Sequence, residues 1–251
     1  FLLRQGIGEG DRVAVYSKNR IEMVDLFLAC GKIGAILVPL NIRLAPREIE
    51  FLVEKTRPSI LIHDPQLRER FGQVAMRIKN ITTIAIDGSG DENSSLTEMT
   101  ENENDEPPPR PRLTMESPYL ILFTGGTTGL PKGAVLSHGL VFWNSVNTIV
   151  SWGLRPDDVQ PLLFPLFHTG GWNVLLVPFY HIGAKTILMG DFDPARTLHV
   201  IEEQRCTIVV GVPTMFQMMA ENEAFEDTDL SSVRVFISGG APCPVAIMEK
   251  Y

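Results

Sequence analysis

Cysteine is scarce in this chain. The three cysteines, Cys30, Cys206 and Cys243, lie far apart, form no Cys-x-x-Cys and are odd in number. That argues against a disulfide framework and fits a reducing, cytoplasmic setting. No segment has the make-up of a secretory signal, and none is apolar for long enough to span a bilayer. The longest candidate, 173–183, is broken by Pro178 and His181. Basic charge is also short, with 22 Lys/Arg against 30 Asp/Glu and a net charge of −8. No basic stripe exists, which excludes nucleic acid as a partner. The acidity is local, because residues 87–116 hold nine Asp/Glu against two Arg. Neither a Ser/His/Asp set nor the Gly-Lys-Ser/Thr of a Walker A loop is present, and no Gly-x-Gly-x-x-Gly opens a helix.

What is present is alternation. Apolar runs alternate with amphipathic stretches, the pattern of βαβ units. The fold class expected is α/β, with open, mostly parallel sheets and flanking helices. Strands are predicted at 12–16, 35–39, 59–63, 83–86, 118–123, 134–136, 160–164, 184–188, 208–210 and 233–237. Helices are predicted at 21–33, 46–55, 65–78, from near 137 to 150 with its apolar face at 140–150, and at 171–178, 193–203 and 213–220. Pro46 suits a first helical position and Ser137 an N-cap. An apolar content of 44% is enough to form a core. The acidic, Pro-rich stretch 87–117 reads as a linker or surface loop between a first lobe, 1–86, and a second, 118–251.

The densest chemistry lies in Thr124-Gly125-Gly126-Thr127-Thr128-Gly129-Leu130-Pro131-Lys132-Gly133. Glycines let backbone N–H groups turn toward an anion, threonines add hydroxyls and a lysine adds charge. Pro131 keeps Leu130 extended, so the loop is expected to join two strands. Thr124, Gly125, Gly126, Thr127, Thr128, Gly129 and Lys132 are the phosphate-binding candidates. His168 stands out among five histidines because Gly170 and Gly171 leave room beside it. His63, His138, His181 and His199 read as structural. Met215, Met218 and Met219 read first as core. If the strands preceding the Gly/Thr loop, Phe167-His168, Gly211-Val212 and Ser238-Gly239-Gly240 are parallel, their carboxyl ends would share one sheet edge, where open α/β sheets bind ligands.

The Gly/Thr loop resembles the phosphate loop of the adenylate-forming superfamily of acyl-CoA synthetases, luciferases and adenylation domains. Pro165-Leu166-Phe167-His168-Thr169-Gly170-Gly171, Gly211-Val212-Pro213-Thr214 and Ser238-Gly239-Gly240-Ala241-Pro242 resemble its further signatures, in order. Gly10-Asp11-Arg12-Val13-Ala14-Val15 and Gly34-Ala35-Ile36-Leu37-Val38-Pro39-Leu40-Asn41 are also typical. The resemblance spans nearly the whole chain and looks closest to fatty acyl-CoA synthetases. Family members are longer, with a Tyr-Gly-x-Thr-Glu motif and a C-terminal domain bearing a catalytic lysine. The resemblance therefore implies part of the large N-terminal domain, inactive alone.

It further implies ATP-dependent activation of a carboxylic acid to acyl-AMP, then transfer to CoA. ATP, Mg2+ and CoA are the implied cofactors. His168 would lie beside the acyl carboxyl as the catalytic and acyl-binding residue, with Trp172 and Val212 on the acyl side. Trp172 reads equally as an ordinary core aromatic and, by resemblance, as the gate of an acyl tunnel. Gly239, Gly240, Ala241 and Pro242 would line adenine, and Thr127 would approach Mg2+ through the phosphates. A medium- or long-chain fatty acid is the first substrate reading. An aryl acid, or a non-catalytic nucleotide/acyl-binding module, is the alternative. Small molecules are the expected partners, with weak membrane association and a homodimer left open.

Overall fold

The structure is a computed structural model that describes residues 1–88, 95–101, 106, 108–109, 111–124 and 131–251. Its strands are β1 (Arg12–Tyr16), β2 (Ile36–Pro39), β3 (Ile60–His63), β4 (Thr82–Ala85), β5 (Pro118–Thr124), β6 (Lys132–Ser137), β7 (Val159–Leu162), β8 (Lys185–Leu188), β9 (Ile208–Gly211) and β10 (Val235–Ser238). The α-helices are α1 (Ile21–Ile33), α2 (Pro46–Thr56), α3 (Arg68–Ala75), α4 (Leu96–Glu101), α5 (His138–Trp152), α6 (Val177–His181), α7 (Pro194–Glu203), α8 (Pro213–Ala220) and α9 (Val245–Met248). A six-stranded sheet runs β4-β3-β1-β2-β5-β6, and β7–β8 and β9–β10 form two-stranded sheets. Among the described pairings only β5–β6 is antiparallel. The expected fold class is therefore observed. No helix among the described residues is long and apolar enough to cross a membrane.

Contacts divide the chain into two compact units. One comprises residues 1–142 and 166–168, the other residues 143–165 and 169–251. In the first, β1, β2 and β3 are almost wholly buried. Such strands read as continuous apolar runs because helices cover both faces of a parallel sheet. The second unit has its own core around Leu163, Met189, Leu198, Ile201, Val209, Phe216 and Met219. Met219 and the partly buried Met215 belong to it, whereas Met218 is exposed.

An aromatic stack ties the first unit together. Tyr119 of β5 lies between Phe27 of α1 and His138 of α5, both rings at 4.3 Å. Its hydroxyl donates to Phe27 O at 3.0 Å. Gly31 lies directly beneath, and a Cβ there would stand 2.7 Å from Tyr119 Oη. Because the ring is held on both faces and at its hydroxyl, it cannot swing away. Gly31→Ala is expected to cost about 1–3 kcal/mol of unfolding free energy, the range for overpacking. Chemical denaturation checks this, and an unchanged midpoint would count against it.

His138 is the titratable member of that stack. Its Nε2 is buried with no hydrogen-bond partner among the described residues, and burial lowers its pKa from the ordinary histidine value. Protonation therefore favours the unfolded chain. The stability contributed by the neutral ring is complete above the unfolded-state pKa of about 6.5 and is lost as pH falls below it. His138→Phe is expected to flatten the pH profile of the thermal midpoint between about pH 5 and 7. An unaltered slope would oppose that assignment.

The acidic segment carries a short helix, and two expectations need correction. Ser95 N–H donates to Glu98 Oε2 at 3.0 Å and Glu98 N–H to Ser95 Oγ at 3.3 Å. This reciprocal capping box starts α4 and buries Leu96. The expected apolar face of 140–150 is largely exposed, at Leu140, Phe142, Trp143 and Val150. The buried positions of α5 are the smaller residues Gly139, Val141 and Ser145. Gly139 sits so close that its N–H donates to Met115 O at 2.7 Å. Finally, the strands before the four motif segments do not belong to one sheet but to three. Apolar patterning specifies a buried strand without specifying which strand it will join.

Candidate functional site

The Gly/Thr segment is framed by an antiparallel hairpin, as the extended residue before Pro131 implied. Thr124 stands opposite Lys132 and Phe123 opposite Gly133. Thr124 Oγ1 donates to Lys132 O at 3.4 Å. Both residues are exposed at the mouth of the hairpin. Just behind them, a Cβ on Gly133 would lie 3.2 Å from Ile121 and Phe123, so the ladder is tightly packed there. Gly125, Gly126, Thr127, Thr128 and Gly129 lie outside the described residues.

His168 ends a turn that belongs to the same unit as the hairpin. Leu166 is fully buried, and its N–H donates to Asn19 Oδ1 at 2.7 Å. Phe167 is buried beneath the Arg43 guanidinium, 5.6 Å from the ring centroid. His168 itself is exposed. The loop that presents Asn19 is held by its neighbour Arg20, which bonds Glu22, Asp64 and Asp87 at 2.9, 3.3 and 2.6 Å. The Asp64 carboxylate is completely buried and also accepts from Gln66 N–H at 3.0 Å.

In the second unit, Gly170–Leu176 forms a π-helix. Val177 N–H donates to Trp172 O, five residues back. In that register Pro178 would have to bond Asn173 O, but proline has no N–H. Asn144 Nδ2 takes its place, donating to Asn173 O at 2.5 Å. Asn173 Nδ2 in turn donates to Thr169 Oγ1 at 2.9 Å. Trp172 is completely buried. Short π-helical turns occur frequently at functional sites.

The Gly211-Val212 and Ser238-Gly239-Gly240 segments come together. Ser238 pairs with Gly211, and Gly239 N–H donates to Gly211 O at 3.1 Å. Gly240 has φ +81°, a left-handed conformation that suits glycine. A Cβ on Gly240 would lie 3.4 Å from Val212 Cγ1, whereas Gly239 faces open space. Ala241 and Pro242 are exposed.

The opposite ends of these strands are held by charge. Asp158 accepts from Arg234 Nε and Nη2 at 2.9 and 2.6 Å, from Thr207 Oγ1 at 2.7 Å and from Arg155 N–H at 2.7 Å. Thr207 N–H donates to Val159 O at 2.8 Å, linking β7 to the start of β9. Burial would raise the Asp158 pKa, but the Arg234, Thr207 and Arg155 donors hold it below the usual value.

Of the other histidines, His138 lies in the Tyr119 stack and His199 is exposed beside Glu203. His63 stacks on Phe71 at 3.9 Å and His181 Nδ1 lies 3.0 Å from Ser145 Oγ. Among the described residues no group of three or more His, Cys, Asp or Glu could hold a metal. A hydroxyl and an ammonium at an open hairpin mouth fit a phosphate ester, and magnesium would have to be carried mainly by that phosphate. Sequence reasoning missed Asn19, Asn144 and Asn173. Only Pro178 signalled any of them, because its missing N–H requires a substitute donor.

Comparison with known proteins finds relatives over nearly the whole chain. Feruloyl-CoA synthase from Amycolatopsis sp is 35% identical over 98% of this chain and 47% of its own length. Indoleacetate–CoA ligase from Aromatoleum aromaticum is 34% identical over 99% of this chain and 49% of its own length. The chain thus spans about half the length of the curated relatives it matches. The crystal structure of the N-terminal domain of FACL13 from Mycobacterium tuberculosis superposes with a TM-score of 0.86 at 30% identity, covering 100% of this chain and 62% of that one. The glycine-rich hairpin, the His168 turn and the paired Val212 and Gly239-Gly240 segments thus lie within a chain that matches the AMP-binding enzyme family from residue 1 to 251 and belongs to it.

Proposed function

We propose that this chain is the nucleotide- and acyl-binding part of an AMP-forming acid–thiol ligase. The acid's carboxylate attacks the α-phosphorus of ATP, pyrophosphate leaves, and CoA thiol then displaces AMP from the acyl-adenylate. No general base is needed for the first step, because the carboxylate is ionised at neutral pH. Both reactants are anions, so the protein's task is to neutralise charge and align them. In this reading Thr124, Lys132 and the intervening Gly125, Gly126, Thr127, Thr128 and Gly129 hold the outer phosphates, and Mg2+ carried on those phosphates would supply further neutralising charge. Gly239, Gly240, Ala241 and Pro242 take adenine. His168 stands beside the acyl carboxyl, with Trp172 and Val212 on the acyl side. The observation that carries the reading is the Thr124–Lys132 hairpin mouth in a chain of this family.

Two acid classes compete. A medium- or long-chain fatty acid follows from reading Trp172 as a tunnel gate. An aryl acid is favoured by two relatives whose names specify feruloyl and indoleacetate groups. The complete burial of Trp172 adds to it, because a ring packed on all sides is placed as a wall and not as an open gate. The aryl class is the better supported. Titration with two unreactive adenylate analogues, cinnamoyl- and dodecanoyl-sulfamoyl adenosine, decides between them. Tighter cinnamoyl binding is the expected result, and a dodecanoyl preference would restore the fatty-acid reading.

A further inference from the structure

We propose that Asn19 is a positioning residue for the turn that presents His168. The inference rests on the reading of His168 as the residue beside the acyl carboxyl. Asn19 and Leu166 are 147 residues apart, yet Asn19 Oδ1 accepts the Leu166 N–H at 2.7 Å. Leu166 is fully buried, so its amide cannot turn to water when that acceptor is removed. An unsatisfied buried N–H costs more than the net value of the bond it lost. The turn would relax to expose that amide, and His168 lies two residues further along it.

Asn19 is itself fixed from behind. It lies in the loop between β1 and α1, and Arg20 anchors that loop to Asp64 after β3 and to Asp87 after β4. The sheet's strand ends therefore locate Arg20, Arg20 locates Asn19, and Asn19 locates the His168 turn. Phe167, held under Arg43, fixes the turn from a second side. The Leu166 N–H needs an acceptor, which aspartate keeps and a leucine of similar size lacks.

The test combines Asn19→Leu and Asn19→Asp with two readouts in the 251-residue chain. The first is the imidazole resonance of His168 in histidine-labelled protein, assigned by its loss in His168→Gln. The second is affinity for cinnamoyl-sulfamoyl adenosine set beside affinity for Mg-ATP. Asn19→Leu is expected to shift or broaden the His168 signal and weaken the analogue about tenfold, the scale of one lost buried hydrogen bond. Mg-ATP affinity should stay within about twofold, because the β5–β6 ladder holds the hairpin independently. Asn19→Asp, which keeps the acceptor, is expected to retain the parent's His168 signal and analogue affinity better than Asn19→Leu does. An unmoved His168 signal in Asn19→Leu, or equal losses for both ligands, would overturn the proposal. If Asn19→Leu does not fold, Asn19→Ser is read by the same criteria. If the parent chain binds no analogue, the functional reading fails, and the His168 signal alone decides whether Asn19 positions the turn.

Discussion

Asp158→Ala is expected to lower the unfolding free energy by about 3 kcal/mol, the lower end of the range for breaking a buried ion pair. The carboxylate is 2% exposed and gathers donors from Arg155, Thr207 and Arg234. Removing it leaves a hydroxyl, a backbone N–H and a guanidinium facing one cavity. Arg234 is 25% exposed, so water can re-solvate part of the guanidinium, which is why the lower end applies. The lowered pKa gives the same sign. Stability from this carboxylate is present above the unfolded-state value of about 3.9 and disappears as pH falls through the folded-state value. Urea unfolding followed by circular dichroism measures the effect. A loss under about 1 kcal/mol, the scale of a surface pair, would show that the pair is not a structural fastener.

Lys132→Ala is expected to weaken Mg-ATP binding by about 10- to 100-fold, the scale of one charge-assisted hydrogen bond to phosphate. Lys132 is exposed at the hairpin mouth, and its backbone, which mutation leaves in place, makes the pairing with Thr124. The thermal midpoint should therefore hardly move, as at most exposed positions. The comparison that matters is between the two readouts. Weakened nucleotide with an intact fold fits a phosphate-binding lysine. Unchanged affinity in a folded variant would remove Lys132 from the site.

Much of the fold was legible because its signals are local. Val13 to Tyr16 are fully buried and read as an uninterrupted apolar strand. Pro46 opens α2 at the position its missing N–H allows, and Ser137 caps α5 by accepting Leu140 N–H at 3.2 Å. The hairpin followed from the steric effect of Pro131. What was not legible depends on distant partners. The bond from Leu166 N–H to Asn19 and the ion pair between Arg234 and Asp158 join residues 147 and 76 apart. A single asparagine or aspartate carries no mark of such a partner. Sheet membership was hidden for the same reason, because β9 is as apolar and as buried as the strands of the six-stranded sheet. The exposed apolar side of α5 was misread because helical periodicity shows that a face exists but not that it is covered.

The site followed a similar division. The pairing of Gly211 with Ser238 and the positive φ of Gly240 are backbone features of segments that the sequence marks by their glycines. The asparagines that hold the π-helix and the His168 turn carry no such mark. Their roles arise from donors and acceptors that the main chain leaves over, and those are visible only after folding.

The most direct test of the account is a calorimetric titration of this chain with Mg-ATP, followed by the same titration in the presence of a saturating unreactive acyl-adenylate analogue. The proposed function predicts that each ligand binds alone with a stoichiometry of about one and that the analogue, which carries the same adenosine group, abolishes the Mg-ATP signal. Independent binding of both ligands, or binding of neither, would contradict it.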